Sequence, residues 1–286
     1  MGEPSRDKLN LGRIGYLNVL PVYYPLESGI VSHPFTIIPG VPSHLNELAA
    51  RGALDISPVS SIEYARHADL YYIVPDLSIS SFGEVKSVLL FSRVPVERLS
   101  GKKILVSSQS HTSVGLLKVL ARMRYGMGPV FESGSFSELA AEGRLPDAFL
   151  AIGDEALRLR GSGLYPEILD LGAAWYNWTG LPFVFALWVV RKKAIDEKNG
   201  RIGPSIDALL ASKKWGCSNI EHICVEAART GLLDIGELRE YYRCLRFDLD
   251  ERERRGLELF YSYLFQIGEL ERVPRLEIYR PLASVA

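Results

Sequence analysis

The sequence is poor in the residues that most often announce chemistry. Of its 286 residues only three are cysteine and five are histidine. Cys217, Cys224 and Cys244 stand at no metal-ligand spacing and are odd in number. Neither a zinc site nor a disulfide framework is indicated, and mostly buried thiols in a reducing compartment are expected. The histidines are scattered, which argues against a metal cluster. There is no dinucleotide fingerprint, phosphate loop, GxSxG elbow or HExxH pair, so the chemistries that depend on them have no support. No stretch reaches the roughly 18 uninterrupted apolar residues of a membrane span, and the opening MGEPSRDKLNLG has no apolar signal core. The expected location is the cytoplasm. An excess of one charge sign is also missing. Lys and Arg total 33 against 34 Asp and Glu, a formal net charge of -1. Nucleic acid and anionic membrane therefore gain no support as partners.

The sequence does have the makings of a core. Hydrophobic residues are 47% of the chain and charged ones 23%, as in globular proteins, and the length allows two domains. Short apolar runs alternate with stretches of helical spacing. Arg13 to Leu17 reads as a strand, followed by a helix to Glu27 entered at Leu20 or Pro21. FTIIPGVP is a second strand and SHLNELAARGAL a helix capped by Ser43. DISPVSSIEYARHA is a strand, a turn at Ser57-Pro58 and a helix. YYIVPDLSISSFGEVKSVLLFSRVP supplies two or three strands around Gly83. From about Val94 the pattern begins again: a strand at Lys103 to Ser107, a polar loop, a helix from Thr112 to Tyr125, a strand GPVFE, and a helix near Ser135 or Ser137. DAFLAIGDEALRLR follows as strand, turn and helix. A strand edge and a loop then lead to a long apolar strand, Pro182 to Val190. The remainder, from Ile195, is mostly helical. This alternation argues an α/β fold with mainly parallel strands. The repeated pattern suggests two similar α/β domains facing each other.

Several stretches could carry chemistry. In RIGYLNVLPVYYPLE, Asn18 either caps a turn or projects into a cleft at the strand's end, where open α/β sheets bind ligands. In SSQSHTSVGLL, four hydroxyls (Ser108, Ser110, Thr112 and Ser113) crowd the start of a helix. They are either an over-supplied cap or an anion site that uses the helix's unpaired N–H groups and positive end. His111 by itself argues little. Ser60 either caps the next helix or reaches the cleft. Ser87 precedes an apolar run without a partner base, so it is no activated nucleophile. Asp154 is a helix cap or a cleft acid. WYNWTGLPFVFALW packs the domain junction or walls an unsaturated ring, and Thr179, Gly180 and Pro182 form a rigid turn within it. The run DLDERERRG reads as a solvated helix start.

Taken together, GYLNVLP, DISPVSSIEYAR, SVLLFS, SHTSVGLLKVL, AIGDEAL, DLGAAWYNWTGLPFVFALWVVR and ERRGLELFYSYL resemble the MqnA family. These are the chorismate dehydratases of the futalosine route to menaquinone. The segments lie in family order over about residues 15 to 264, and GYLN separates the chain from the sister MqnD family, which opens with an SPCPND-like stretch. The resemblance implies a two-lobed, type II periplasmic-binding-protein-like fold with a central cleft. Residues 11–94 and 190–286 would form the first lobe and 95–189 the second. It implies dehydration of chorismate to 3-[(1-carboxyvinyl)oxy]benzoate, with no redox cofactor and no metal. Chorismate would be the small-molecule partner, with neither nucleic acid nor membrane involved, and monomer and dimer both stand as oligomeric states. Asn18 and Ser87 match active-site positions of the family, and Ser110, Thr112 and Ser113 match a carboxylate clamp. Ser60, Asp154 and Thr179 are further expected substrate contacts. No side chain announces itself as the base, so the substrate's own enolpyruvyl carboxylate and Asp154 both stand as candidates. A non-catalytic binding protein of the same fold and a sister lyase acting on a futalosine-derived nucleoside are the competing readings.

Overall fold

The computed structural model describes residues 9–107, 111–198 and 200–280. The strands, in chain order, are β1 (Leu9–Ile14), β2 (Phe35–Gly40), β3 (Ile56–Ser60), β4 (Tyr71–Ser81), β5 (Val88–Ser92), β6 (Lys103–Val106), β7 (Val130–Ser133), β8 (Ala148–Ile152), β9 (Glu167–Asp170), β10 (Phe183–Arg191) and β11 (Leu245–Arg246). They form two sheets, β11-β4-β10-β3-β1-β2 and β7-β6-β8-β5-β9. The first sheet gathers strands from both ends of the chain, and the second takes the middle.

This pairing moves both expected limits. β5 hydrogen-bonds to β8 and β9, so the chain has already left the first sheet before Val88, not near residue 94. β10 lies between β3 and β4, so the return is complete by Phe183 and not at 190. The sheets are mixed, where mainly parallel ones were expected. β1 runs parallel to β2 and β3, and β6 to β7 and β8, but β5 and β10 are antiparallel to all their neighbours. Both adjoin the crossings, and a chain that leaves one sheet and returns enters against the direction of the βαβ strands.

The local elements follow the chemistry of the sequence with a few departures. The helix Leu20–Glu27 starts with proline in its first turn, where the missing N–H costs nothing. The helix Pro42–Ala50 does the same, so Ser43 lies inside it and is not the cap. β3 runs straight through Ser57-Pro58, with Pro58 opposite Trp188. The helix that begins at His111 ends at Val119 and passes into a π turn, Leu120–Arg124. The expected loop before β10 is the helix Leu171–Thr179, capped by Asp170 and closed by Gly180 at φ 70°. Ser135 caps the helix Phe136–Ala141 as expected.

β10 is the spine of the core: every residue from Phe183 to Val190 is buried. Trp175, on the preceding helix, meets Phe183 and Phe260 edge-on at 5.4 and 6.1 Å, and Trp178 stacks on Tyr263 at 4.9 Å. Most of the aromatic stretch therefore packs the junction. The second sheet carries a smaller apolar cluster on its other face, with Phe149 stacked between Phe136 and Phe91. The three cysteines are free, but only Cys224 is buried. Among the described residues no helix is long and apolar enough to cross a membrane.

Candidate active site

A cavity of about 680 Å³ lies where the two sheets meet. Asn18, Ser60, Ile79 and Phe185 line it from the first sheet's side, and Val88, Ile152 and Gly153 from the second's. Ser87, Thr112 and Ser113 line it as well, together with His111 and Tyr16. Among the described residues that line it there is no Lys, Arg, Asp or Glu.

Asn18 sits in the single 3₁₀ turn Leu17–Val19 between β1 and the helix Leu20–Glu27. The turn is tied on both sides. The Leu17 N–H donates to Asp154 Oδ1 at 3.3 Å, and the Leu17 carbonyl accepts from the Tyr242 hydroxyl at 2.9 Å. Asn18 thus projects from a backbone that has little freedom, and its Oδ1 is buried without a hydrogen-bond partner. A buried amide oxygen in that condition is costly unless a ligand supplies the donor.

Ser87 lies in the segment that crosses from β4 to β5. Asp170 holds that segment from below, accepting from the Val85, Lys86 and Ala173 N–H groups at 3.0, 2.7 and 3.0 Å. Burial pushes the Asp170 carboxyl up, against the pull of those three bonds. The Ser87 hydroxyl donates to Val85 O at 3.3 Å and accepts from the buried Tyr241 hydroxyl at 3.2 Å. Its carbonyl accepts from the Gly153 N–H at 2.7 Å, which joins it to the opposite helix start.

Three helices begin at the cavity wall. Ser60 caps the helix Ser61–His67, accepting from the Glu63 N–H at 3.3 Å. The helix His111–Val119 begins beside Thr112 and Ser113, and Gly153 opens the helix Gly153–Leu159. Gly153 has φ 55°, and a Cβ there would stand 3.1 Å from the Tyr16 ring, so glycine is needed twice over. Helix starts carry unpaired N–H groups and a partial positive charge, which lets a wall without a described Lys or Arg attract an anion.

The expected site residues divide as follows. Asn18, Ser60, Ser87, Thr112 and Ser113 line one cavity, although they come from four separate parts of the chain. The Thr112 hydroxyl also accepts from the Ile62 N–H at 3.1 Å, so it ties two helix starts together. Ser110 lies outside the described residues. Asp154 is neither cap nor cavity wall. It reaches back to Leu17, and burial pushes its carboxyl up, opposed by that N–H and by Arg158. Thr179 is withdrawn from the cavity. Its hydroxyl donates to Trp175 O at 2.9 Å and accepts from the Leu181 N–H at 3.2 Å, closing the end of its own helix. Tyr16, Asp170, Tyr241 and Tyr242 are the supporting residues that the sequence did not single out. For Asp170 the signal was present, an Asp immediately before a helix. The tyrosines on Ile235–Cys244 lie far along the chain from the turns they hold. Among the described residues no group of three or more His, Cys, Asp or Glu side chains could hold a metal ion.

Two sheets joined by two crossings, with the cavity at the junction, define a two-lobed fold like that of the type II periplasmic binding proteins. The fold is similar to that of the periplasmic aliphatic sulphonate binding protein of Escherichia coli, with TM-score 0.65, 15% identity, and coverage of 98% of this chain and 94% of that one. The family model for menaquinone biosynthesis matches residues 9–266, and the chain belongs to that family. It is 31% identical to a chorismate dehydratase of Thermus thermophilus, covering 87% of this chain and 93% of the relative. A Campylobacter jejuni chorismate dehydratase is 30% identical over 87% of this chain and 94% of its own. A 1,4-dihydroxy-6-naphtoate synthase of Thermus thermophilus matches less of the chain, at 27% identity over 67% of it and 71% of the relative.

Proposed function

We propose that this protein is a lyase that removes water from chorismate to give 3-[(1-carboxyvinyl)oxy]benzoate. Two curated relatives named for this reaction, each spanning most of the chain, support the assignment. The observation that carries the chemistry is the cavity wall, which pairs helix starts and hydrogen-bonding side chains with apolar residues and, among those described, no Lys, Arg, Asp or Glu. A carboxylate-bearing ring fits such a wall, its anionic groups at the helix starts and its flat face on Ile79, Phe185 and Val88.

The reaction suits that environment. Ring C3–H is vinylogous to the ring carboxylate, and C4 carries the hydroxyl. As the C3 proton leaves, its electron pair enters the ring and the C4–O bond breaks. The hydroxide takes a proton and departs as water. The product is aromatic, which supplies the driving force. The protein's task is to orient the ring and to stabilise the charge that develops on its carboxylate. In this reading the substrate's enolpyruvyl carboxylate takes the C3 proton. Asp154 is less well placed for that task, because it is not among the residues that line the cavity and its Oδ1 turns to the Leu17 N–H. Asn18 meets the departing hydroxyl or a carboxylate, Ser87 donates to a substrate oxygen, and Ser113 with the adjoining helix start holds a carboxylate. A cytoplasmic location belongs to the same proposal, and the three free thiols are in keeping with it.

The test is direct. Purified protein is mixed with chorismate and the products are followed by mass. Loss of one water is the expected result. Tight binding of chorismate without turnover would make the protein a binder of the same fold instead.

A further inference from the structure

Among the described residues that line the cavity, the Ser87 hydroxyl is one whose partners disclose which way its proton points. A serine hydroxyl has one proton and two lone pairs. At Ser87 one lone pair receives the hydrogen bond of the Tyr241 hydroxyl at 3.2 Å. The proton goes to Val85 O at 3.3 Å, a long bond to a carbonyl two residues back. A ligand oxygen in the cavity can take over that proton at little cost.

We propose that Tyr241 is a positioning residue, whose hydroxyl donates to Ser87 Oγ and so commits the Ser87 proton to the substrate. The inference deepens the dehydratase reading and rests on it. Tyr241 lies on the helix Ile235–Cys244, only 1% exposed, 154 positions along the chain from Ser87. Burial pushes its phenol well above the ordinary value, so it keeps its proton and remains a donor throughout the working pH range. With a substrate oxygen in place, the two hydroxyls form a chain, Tyr241 to Ser87 to ligand, in which each bond polarises the next. Ser87 then serves as a hydrogen-bond donor of increased strength. It is neither base nor nucleophile, since a neutral hydroxyl is a weak base and its proton goes to a carbonyl, not to a basic side chain that could remove it.

The experiment is a double-mutant cycle on the full chain: wild type, Tyr241→Phe, Ser87→Ala and the two combined. Chorismate turnover and equilibrium chorismate binding are both measured. Tyr241→Phe keeps the ring and should leave the melting temperature within a few degrees of wild type. It is expected to lower kcat about tenfold, with KM changed less than threefold. In the Ser87→Ala background it should have no further effect. Wild-type kcat in Tyr241→Phe would overturn the proposal. So would an equal loss in both backgrounds, which marks a merely structural role, or failure of Tyr241→Phe to fold. If the wild type binds chorismate without turning it over, the dehydratase reading fails separately. The same cycle read on affinity then decides the inference: the Tyr241→Phe loss must vanish when Ser87 is Ala.

Discussion

Asn18→Asp is the sharpest perturbation of the site, because it changes charge and almost nothing else. The turn that carries residue 18 is held by Asp154 on one side and Tyr242 on the other, so a side chain of equal size will occupy the same place. The substitution replaces a two-proton donor by a carboxylate oxygen. No Lys or Arg among the described lining residues stands ready to neutralise it. With a substrate carboxylate about 4 Å away and an effective dielectric near 20, the repulsion is about 4 kcal/mol. Each 1.4 kcal/mol is roughly a factor of ten, so kcat/KM should fall by about three orders of magnitude near neutral pH. Loss of the donated bond adds to this. Part of the activity should return at acidic pH as the new carboxylate takes up a proton. The assay is chorismate consumption with product mass, alongside a thermal melt to confirm folding. Turnover within threefold of wild type by a folded variant would refute the placement of Asn18 at the substrate, and the turn would be a turn only.

Other outcomes follow from the packing and the titrating groups. Thr112→Val leaves the Ile62 N–H without its acceptor, so it should destabilise by about 1–3 kcal/mol, read by denaturant unfolding. Ser113→Ala, by contrast, should leave stability unchanged and weaken chorismate binding about tenfold or more, measured by calorimetry. Gly216→Ala places a Cβ 1.8 Å from the Pro21 carbonyl oxygen, a backbone atom that cannot move aside. It should cost roughly 1–3 kcal/mol and lower Tm by several degrees. Glu253 is only 5% exposed, and burial, helped by its bond with Asp250, pushes its carboxyl from 4.5 up to about 7. Between those values the native chain holds a proton that the unfolded chain has released. Its contribution is therefore complete below about pH 4.5 and is lost as pH rises through 7, at most about 3 kcal/mol. Glu253→Gln should flatten that part of the stability–pH curve, and an unchanged slope in Tm from pH 4.5 to 7.5 would count against the burial argument.

Much of this protein was decided locally and could be read from the chain. The α/β alternation, the helix entered at Pro21, the cap at Ser135 and the buried run of β10 follow from hydrophobic period and from the special backbones of proline and glycine. The candidate residues Asn18, Ser60, Ser87, Thr112 and Ser113 were each legible as polar groups at element ends. The placement of such groups beside a cleft follows from strand ends being where sheets bind ligands.

Tertiary structure decided the rest, since its causes act between residues far apart in sequence. Nothing in the local sequence of β5 or β10 says which sheet it joins, because pairing partners are settled by which edges meet in space. Thr179 and Asp154 have the residue types of ligand contacts, but long-range packing and helix geometry turn one to its own helix end and the other to the Leu17 backbone. The charged run DLDERERRG looks like solvated surface, yet it contains the buried Glu253. Tyr241 and Tyr242 fall in the mostly helical remainder, where nothing local marks them out. They become supports of the site because the C-terminal helices fold back over the first sheet and bring two hydroxyls to Ser87 and Leu17. A hydrogen bond needs its partners within about 3 Å, and for those two tyrosines only the closed tertiary structure brings that about.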